Sequence, residues 1–142
     1  MSLNSSLKLL MNLAKIETVV ARRFDRLSIH GLGFNDFLLL YLLHQAPGSR
    51  LRRIDLAEKT GLTASGVTRM LLPLEKTGLV TRETSPRDAR VGYAVLTETG
   101  RQVFEDARET ANAVARELLP ADSIKNNPSV VDLFRLLGGN IT

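Results

Sequence analysis

The chain has 142 residues, enough for one compact domain with its own core, and its 44% hydrophobic and 24% charged residues are the balance of a globular protein. With no Cys and two His, disulfides, thiol chemistry and Cys-based zinc or iron–sulfur sites are excluded, and a His-rich metal site within one chain is not expected. Nineteen basic residues face fifteen acidic ones, and the whole excess lies in residues 50–101, which hold ten basic and six acidic side chains. Positive charge concentrated in this way fits a polyanion, nucleic acid ahead of a membrane, and fits a solvated basic surface equally well. The longest apolar run, Phe37–Leu43, is far short of the ~20 residues a membrane span needs. No leader pattern opens the chain, so a cytoplasmic location is expected.

Residues 3–30 place Leu3, Leu7, Leu10, Leu13, Val20, Phe24 and Leu27 at spacings that predict one long amphipathic helix. A helix of that length extends about 40 Å and overhangs a small domain, so a second chain is expected to cover it. Gly31-Leu32-Gly33 stops it. Asn35 is the expected cap of the next helix, with Phe34 and Leu39 as a hydrophobic staple. That helix, to about Gln45, is apolar all round and should be the central one. A turn at Ala46-Pro47-Gly48-Ser49 leads to a short helix, Arg53–Thr60, stopped by Gly61. Thr63 then caps a helix to about Lys76, whose apolar face is Val67, Met70, Leu71 and Leu74 and whose opposite face carries Ser65, Thr68, Arg69 and Leu72. Two helices joined by a Gly-containing turn make a helix-turn-helix pattern, and equally a plain packing unit. Leu79–Thr84 and Val91–Leu96 read as strands around the polar, basic connector Ser85–Arg90, a wing-like hairpin. Thr97 caps a second long helix that Pro120 ends. Asp122–Asn127 reads as a loop, and Ser129–Leu137 as a last short helix.

The architecture expected is mainly α (α+β): a winged helix-turn-helix lobe over residues 50–97, flanked by long terminal helices over 1–30 and 98–142. The runs Ile54-Asp55-Leu56-Ala57, Gly61-Leu62-Thr63, Val67-Thr68-Arg69, Leu74-Glu75, Gly78-Leu79-Val80-Thr81-Arg82, Asp88-Ala89-Arg90 and Leu96-Thr97-Glu98-Thr99-Gly100 together resemble the MarR family of bacterial winged-helix regulators. The resemblance implies a homodimer built through the terminal helices. It implies recognition helices in the major grooves of a roughly palindromic operator, and wings in the neighbouring minor grooves. It also implies repression relieved by a small aromatic or phenolic ligand held between platform and lobe, with no cofactor. Oxidant sensing through Cys, known in the family, is closed to this chain. Pro73, inside the recognition helix, departs from the family pattern.

Each candidate residue has a functional and a bland reading. Ser65, Thr68 and Arg69 line either a DNA-reading or a solvated helix face. Thr63 is a cap that a nearby phosphate would also favour. Arg90 and Asp88 resemble the family's wing-tip pair, the Arg entering a narrow minor groove and the Asp holding it; the alternative is a weak surface ion pair. Arg87 adds phosphate-binding charge at the tip, while Arg82, Arg52 and Arg53 are phosphate contacts or ordinary surface residues. His30, Tyr41 and His44 are the polar rings available to an effector pocket, or else core and helix-end side chains. No catalytic constellation, phosphate loop or metal-ligand motif is present. The remaining rival is a winged helix used as a protein-interaction module without specific DNA binding; such modules tend to lose the basic face retained here.

Overall fold

The computed structural model describes residues 1–142. Seven helices surround a small antiparallel sheet of order β1-β3-β2. Helix α1 spans Ser5–Arg23, capped by Asn4, whose side chain accepts from the Leu7 amide at 2.7 Å. The first helix is therefore shorter than expected. From Phe24 to His30 the chain tightens into a 3-10 turn, which buries Phe24 and Leu27 and ends at left-handed Gly31. Arg26 bonded to Glu117 at 2.6 Å pins this turn to the far helix α5, Glu98–Leu118.

Helix α2 spans Phe34–Gln45 and starts one residue before the expected Asn35 cap. Gly33 takes the cap position because the Asp36 carboxylate reaches back to its amide at 2.8 Å. Phe34 stacks on Phe24 at 4.3 Å, which closes the corner between the 3-10 turn and α2. Leu39, Leu40, Leu42 and Leu43 are buried, so α2 is the central helix its composition implies.

The lobe begins with an element not expected, strand β1, Arg50–Arg52. It pairs with β3, Gly92–Leu96, in the register Arg50↔Val95. Helix α3 follows at Arg53–Thr60 and ends at left-handed Gly61. Helix α4 spans Ala64–Lys76 and is capped by Thr63, which accepts from the Gly66 amide at 3.1 Å. Strand β2, Val80–Thr84, pairs with β3 from Val80↔Leu96 to Thr84↔Gly92, so the wing lies where the alternation placed it.

Thr97 joins the lobe to α5. Its hydroxyl donates to Gly78 O at 2.6 Å and accepts from the Gly100 amide at 3.0 Å, capping the helix while holding the α4–β2 turn. Gly100 is required here, since a Cβ at that position would lie 2.0 Å from Leu79 O. Beyond α5, residues expected to be a loop form a short helix, α6, Ala121–Lys125, before α7, Pro128–Leu136. One core of nineteen buried residues joins the 3-10 turn, α2, the lobe and α5. Helices α1, α6 and α7 contribute none of them.

Candidate nucleic-acid interface

The α3–α4 pair is built as a rigid unit. Leu56, Val67, Leu71 and Leu74 point into the core, which leaves the opposite side of α4 facing out. That side carries Ser65, Arg69 and Leu72 exposed, with Thr68 half-buried beside them. Pro73 lies inside the helix, which continues through it to Lys76. Thr63 and Ser65 hydroxyls are 3.1 Å apart over the first turn of α4, so Thr63 acts as a cap and shares that role with a bond to Ser65.

The wing presents a second charge. Asp88 accepts from Arg90 through Nε and Nη2, each at 3.1 Å, and from the Arg90 amide at 3.0 Å. The Arg90 guanidinium bonded to it holds the Asp88 carboxyl below the usual carboxylate range. Although paired, the Arg90 side chain is 91% exposed, so the Asp fixes its direction without covering it. Arg87 is exposed at the same tip, with its amide tied to Ser85 Oγ at 3.2 Å. Wing and recognition helix share one side of the molecule: a cleft of about 340 Å³ is lined by Arg90, Val91 and Gly92 together with Ala64 and the α3 start, Arg52, Arg53 and Ile54.

The other arginines are engaged inside the lobe. Arg52 pairs with Asp55 through two bonds of 3.0 and 3.1 Å. Arg82 donates to Glu75 at 2.8 Å, and Arg53 lies 3.7 Å from the same carboxylate oxygen. Arg53 also donates to Thr68 Oγ1 at 3.1 Å. Glu75 thus ties α4 to the wing strand and to the start of α3, a role the sequence reading missed. One signal was available: Glu75 follows Thr68 by seven residues, two turns along the flank of the helix beside its apolar face, where a half-covered acid favours a cation.

The three rings suggested for an effector site do not meet in one cavity. His44 and Tyr41 both lie against Phe104, with ring centroids 4.7 and 6.1 Å away. His30 bonds Thr110 Oγ1 at 2.9 Å, further along α5. Tyr41 donates to the Thr142 carbonyl at 2.7 Å, and His44 Nε2 lies 3.5 Å from Glu105. A larger cavity, about 480 Å³, is lined instead by Leu42, Gln45, Leu51, Asp55, Glu58 and Lys59 and closed by residues 140–142. No group of three or more His, Cys, Asp or Glu is placed to hold a metal ion, and no helix is long and apolar enough to cross a membrane.

A helix-turn-helix followed by an antiparallel wing, with free arginines on both, defines a winged-helix DNA-binding protein. The model of the MarR family matches residues 34–91. A Bacillus subtilis protein described as the uncharacterized HTH-type transcriptional regulator YdgJ is 27% identical over 134 residues, covering 94% of this chain and 79% of the relative. Two solved structures from Streptomyces coelicolor, each described as a MarR family transcriptional regulator, are 25% identical. AbsC has a TM-score of 0.77 and covers 99% of both chains. Sco3205, solved in complex with DNA, has a TM-score of 0.81 and covers 96% of this chain and 89% of its own. The resemblance carried by the motifs is borne out: residues 34–91 match the MarR family, and over nearly its whole length the chain has the winged helix-turn-helix fold of DNA-binding transcriptional regulators of that family.

Proposed function

We propose that the chain is a homodimeric repressor that binds a pseudo-palindromic operator in duplex DNA, with residues 50–97 as the DNA-binding lobe and residues 1–30 and 98–142 as the dimerisation part. The observation that carries the DNA half is the shared cleft: Ala64, the first residue of the recognition helix, and the outward-held Arg90 flank the same opening. Insertion of α4 in a major groove brings the wing to the adjoining minor groove, where negative potential favours an arginine. Thr63, Ser65, Thr68 and Arg69 are the proposed helix contacts, and Arg87, Asp88 and Arg90 the wing contacts. Arg82 contributes by bracing the wing through Glu75 more than by touching phosphate.

The dimer half rests on surface that one chain leaves bare. On α1, Leu7, Leu9, Leu10, Met11, Ile16 and Val19 are all exposed, and on α7 so are Val130, Leu133, Phe134 and Leu136. Apolar helical faces of this extent at both ends require a partner, and a second copy supplies matching ends. A DNA partner implies a cytoplasmic protein associated with the nucleoid.

Release by a small aromatic or phenolic ligand completes the reading. Its support is the family resemblance and the position of Tyr41 and His44 between the central helix and α5, against Phe104. The test is selection of genomic DNA fragments by the purified protein, followed by in vitro transcription from the selected promoter with a panel of phenols and aromatic acids. The proposal expects one palindromic motif, repression, and relief by a member of the panel that Tyr41→Phe or His44→Ala weakens. Enrichment of no motif contradicts the DNA half, and activation of the promoter contradicts repression.

A further inference from the structure

Three threonines of the helix-turn-helix segment show how a helical hydroxyl is used. Thr60 Oγ1 donates to Leu56 O at 2.6 Å, and Thr77 Oγ1 donates to Pro73 O at 3.0 Å. Bonding back to the preceding turn is the ordinary sink for such a proton. Thr68 departs from this. Its Oγ1 accepts from Arg53 Nη1 at 3.1 Å, across the gap between α3 and α4.

Arg53 is held where it makes that bond. Its side chain is 25% exposed, and Nη2 lies 3.7 Å from Glu75 Oε1. Glu75, 18% exposed, is fixed in turn by the 2.8 Å bond from Arg82. Since Thr68 and Glu75 are two turns apart on one flank of α4, the guanidinium spans from one to the other. A hydroxyl has one proton and two acceptor lone pairs, and a guanidinium has donors only. With Arg53 on one lone pair, the Thr68 proton has no acceptor in that partner and is free for one outside the helix. On duplex DNA the acceptors are phosphate oxygens, guanine N7 and O6, adenine N7 and thymine O4. The amino groups of adenine and cytosine are donors and cannot take that proton.

We infer that Arg53, anchored by Glu75, is a positioning residue that fixes Thr68 as a hydrogen-bond donor toward an acceptor atom of the operator. This rests on the DNA-binding reading above and adds a residue that does not itself reach the base. It also gives the recognition helix a polarity: the Thr68 proton is left for an acceptor group of the operator.

The experiment is a double-mutant cycle of wild type, Arg53→Met, Thr68→Val and the pair, measured on operator and on unrelated duplex at one salt concentration. The ratio of the two affinities removes the general effect of the lost charge. Thr68→Val is expected to lower the ratio on the order of three- to tenfold, the range of one net hydrogen bond. Arg53→Met is expected to lower it similarly, and the double variant no further than either single one. Arg53→Lys, which still donates and still pairs with Glu75, should retain most of the ratio; it also serves if the Met variant folds poorly, as judged by thermal melting. Operators carrying 7-deazapurines, 4-thiothymine or methylphosphonates then locate the acceptor. The modification whose effect disappears in Thr68→Val separates a base from a phosphate. Additive losses from Arg53→Met and Thr68→Val, no loss from either, or no modification whose effect depends on Thr68 would overturn the inference. A wild-type chain that prefers no duplex sequence over another removes the DNA-binding reading itself, a failure visible before any variant is made.

Discussion

The lobe and the two ends of this chain are both mainly helical, yet only one of them is complete. In the lobe, Leu56, Val67 and Leu71 are fully buried, and an ion-pair cluster around Glu75 ties helix, helix and strand together. At the ends, α1, α6 and α7 bury no residue at all, although their apolar faces are as well patterned. Amphipathic patterning states that a face will be covered; it does not state by which chain. The lobe answers that within itself, whereas the ends are left to the proposed second copy. Thr97 and Gly100 stand at the junction, where α5 leaves the lobe and runs toward the ends.

The largest effect should come from breaking the ends. Leu7→Glu with Leu10→Glu places two charges on the bare face of α1 and should convert the proposed dimer to monomer, loosening operator binding by several orders of magnitude through loss of the linked second half-site. Sedimentation velocity and operator titration check this; an unchanged dimer would mean that α1 is not in the interface. A simple deletion of residues 1–27 is a poorer test, because it also removes Phe24 and Leu27 from the core.

Within the lobe, Gly100→Ala drives a methyl against Leu79 O and should cost about 3 kcal/mol or more of stability, lowering the melting midpoint by denaturant or heat. Leu56→Ala, at a fully buried site, should cost about 2–5 kcal/mol. Leu136→Ala, on the face of α7 left to the second copy, should change stability by less than about 0.5 kcal/mol in a chain kept monomeric by Leu7→Glu with Leu10→Glu, where nothing covers it. Equal costs at Leu56 and Leu136 would erase the contrast between a finished lobe and unfinished ends.

The smallest effect is electrostatic. The Asp88 carboxyl is lowered in the folded chain by Arg90, so its contribution is present above the ordinary aspartate range and is lost as pH falls through the lowered value. A carbon-detected NMR titration of Asp88 should give a midpoint below that of an unpaired aspartate, and Arg90→Ala, which removes the guanidinium and keeps the amide bond, should raise it part of the way back. A midpoint that does not respond to Arg90→Ala would show that the wing pair does not persist in solution.

What could be read from residue order follows the same division. The turns and caps of the lobe were legible because their causes are local: Thr63 and Thr97 each precede a helix, and Gly61 takes a left-handed backbone at φ 75°. Strand β1 was not legible. Three residues rich in arginine carry no alternation, and their pairing with β3 joins positions more than forty apart, such as Arg50 and Val95. Asn35 lost the cap to Gly33 because the Asp36 side chain reached back first. The candidate contacts divided in like manner. Arg90 and Asp88 are near neighbours, and their pairing could be foreseen. Arg53 and Arg82 meet Glu75 only after folding, and nothing in their own surroundings in sequence separates a brace from a phosphate contact.

The central claim is that the recognition helix and the wing address DNA in two different ways, and a salt series with two arginine variants tests it most directly. Arg69→Ala should cost about 1–3 kcal/mol on the operator and relax preference at one position per half-site, as loss of a bidentate base contact does. Arg90→Ala should weaken binding to many sequences, reduce preference for A·T-rich flanks, and lower the slope of log affinity against log salt by about 0.9 per lost contact, or about 1.8 across a symmetric dimer. If Arg69→Ala weakens all sequences equally, or if Arg90→Ala changes neither slope nor flank preference, the assignment of helix to major groove and wing to minor groove is contradicted.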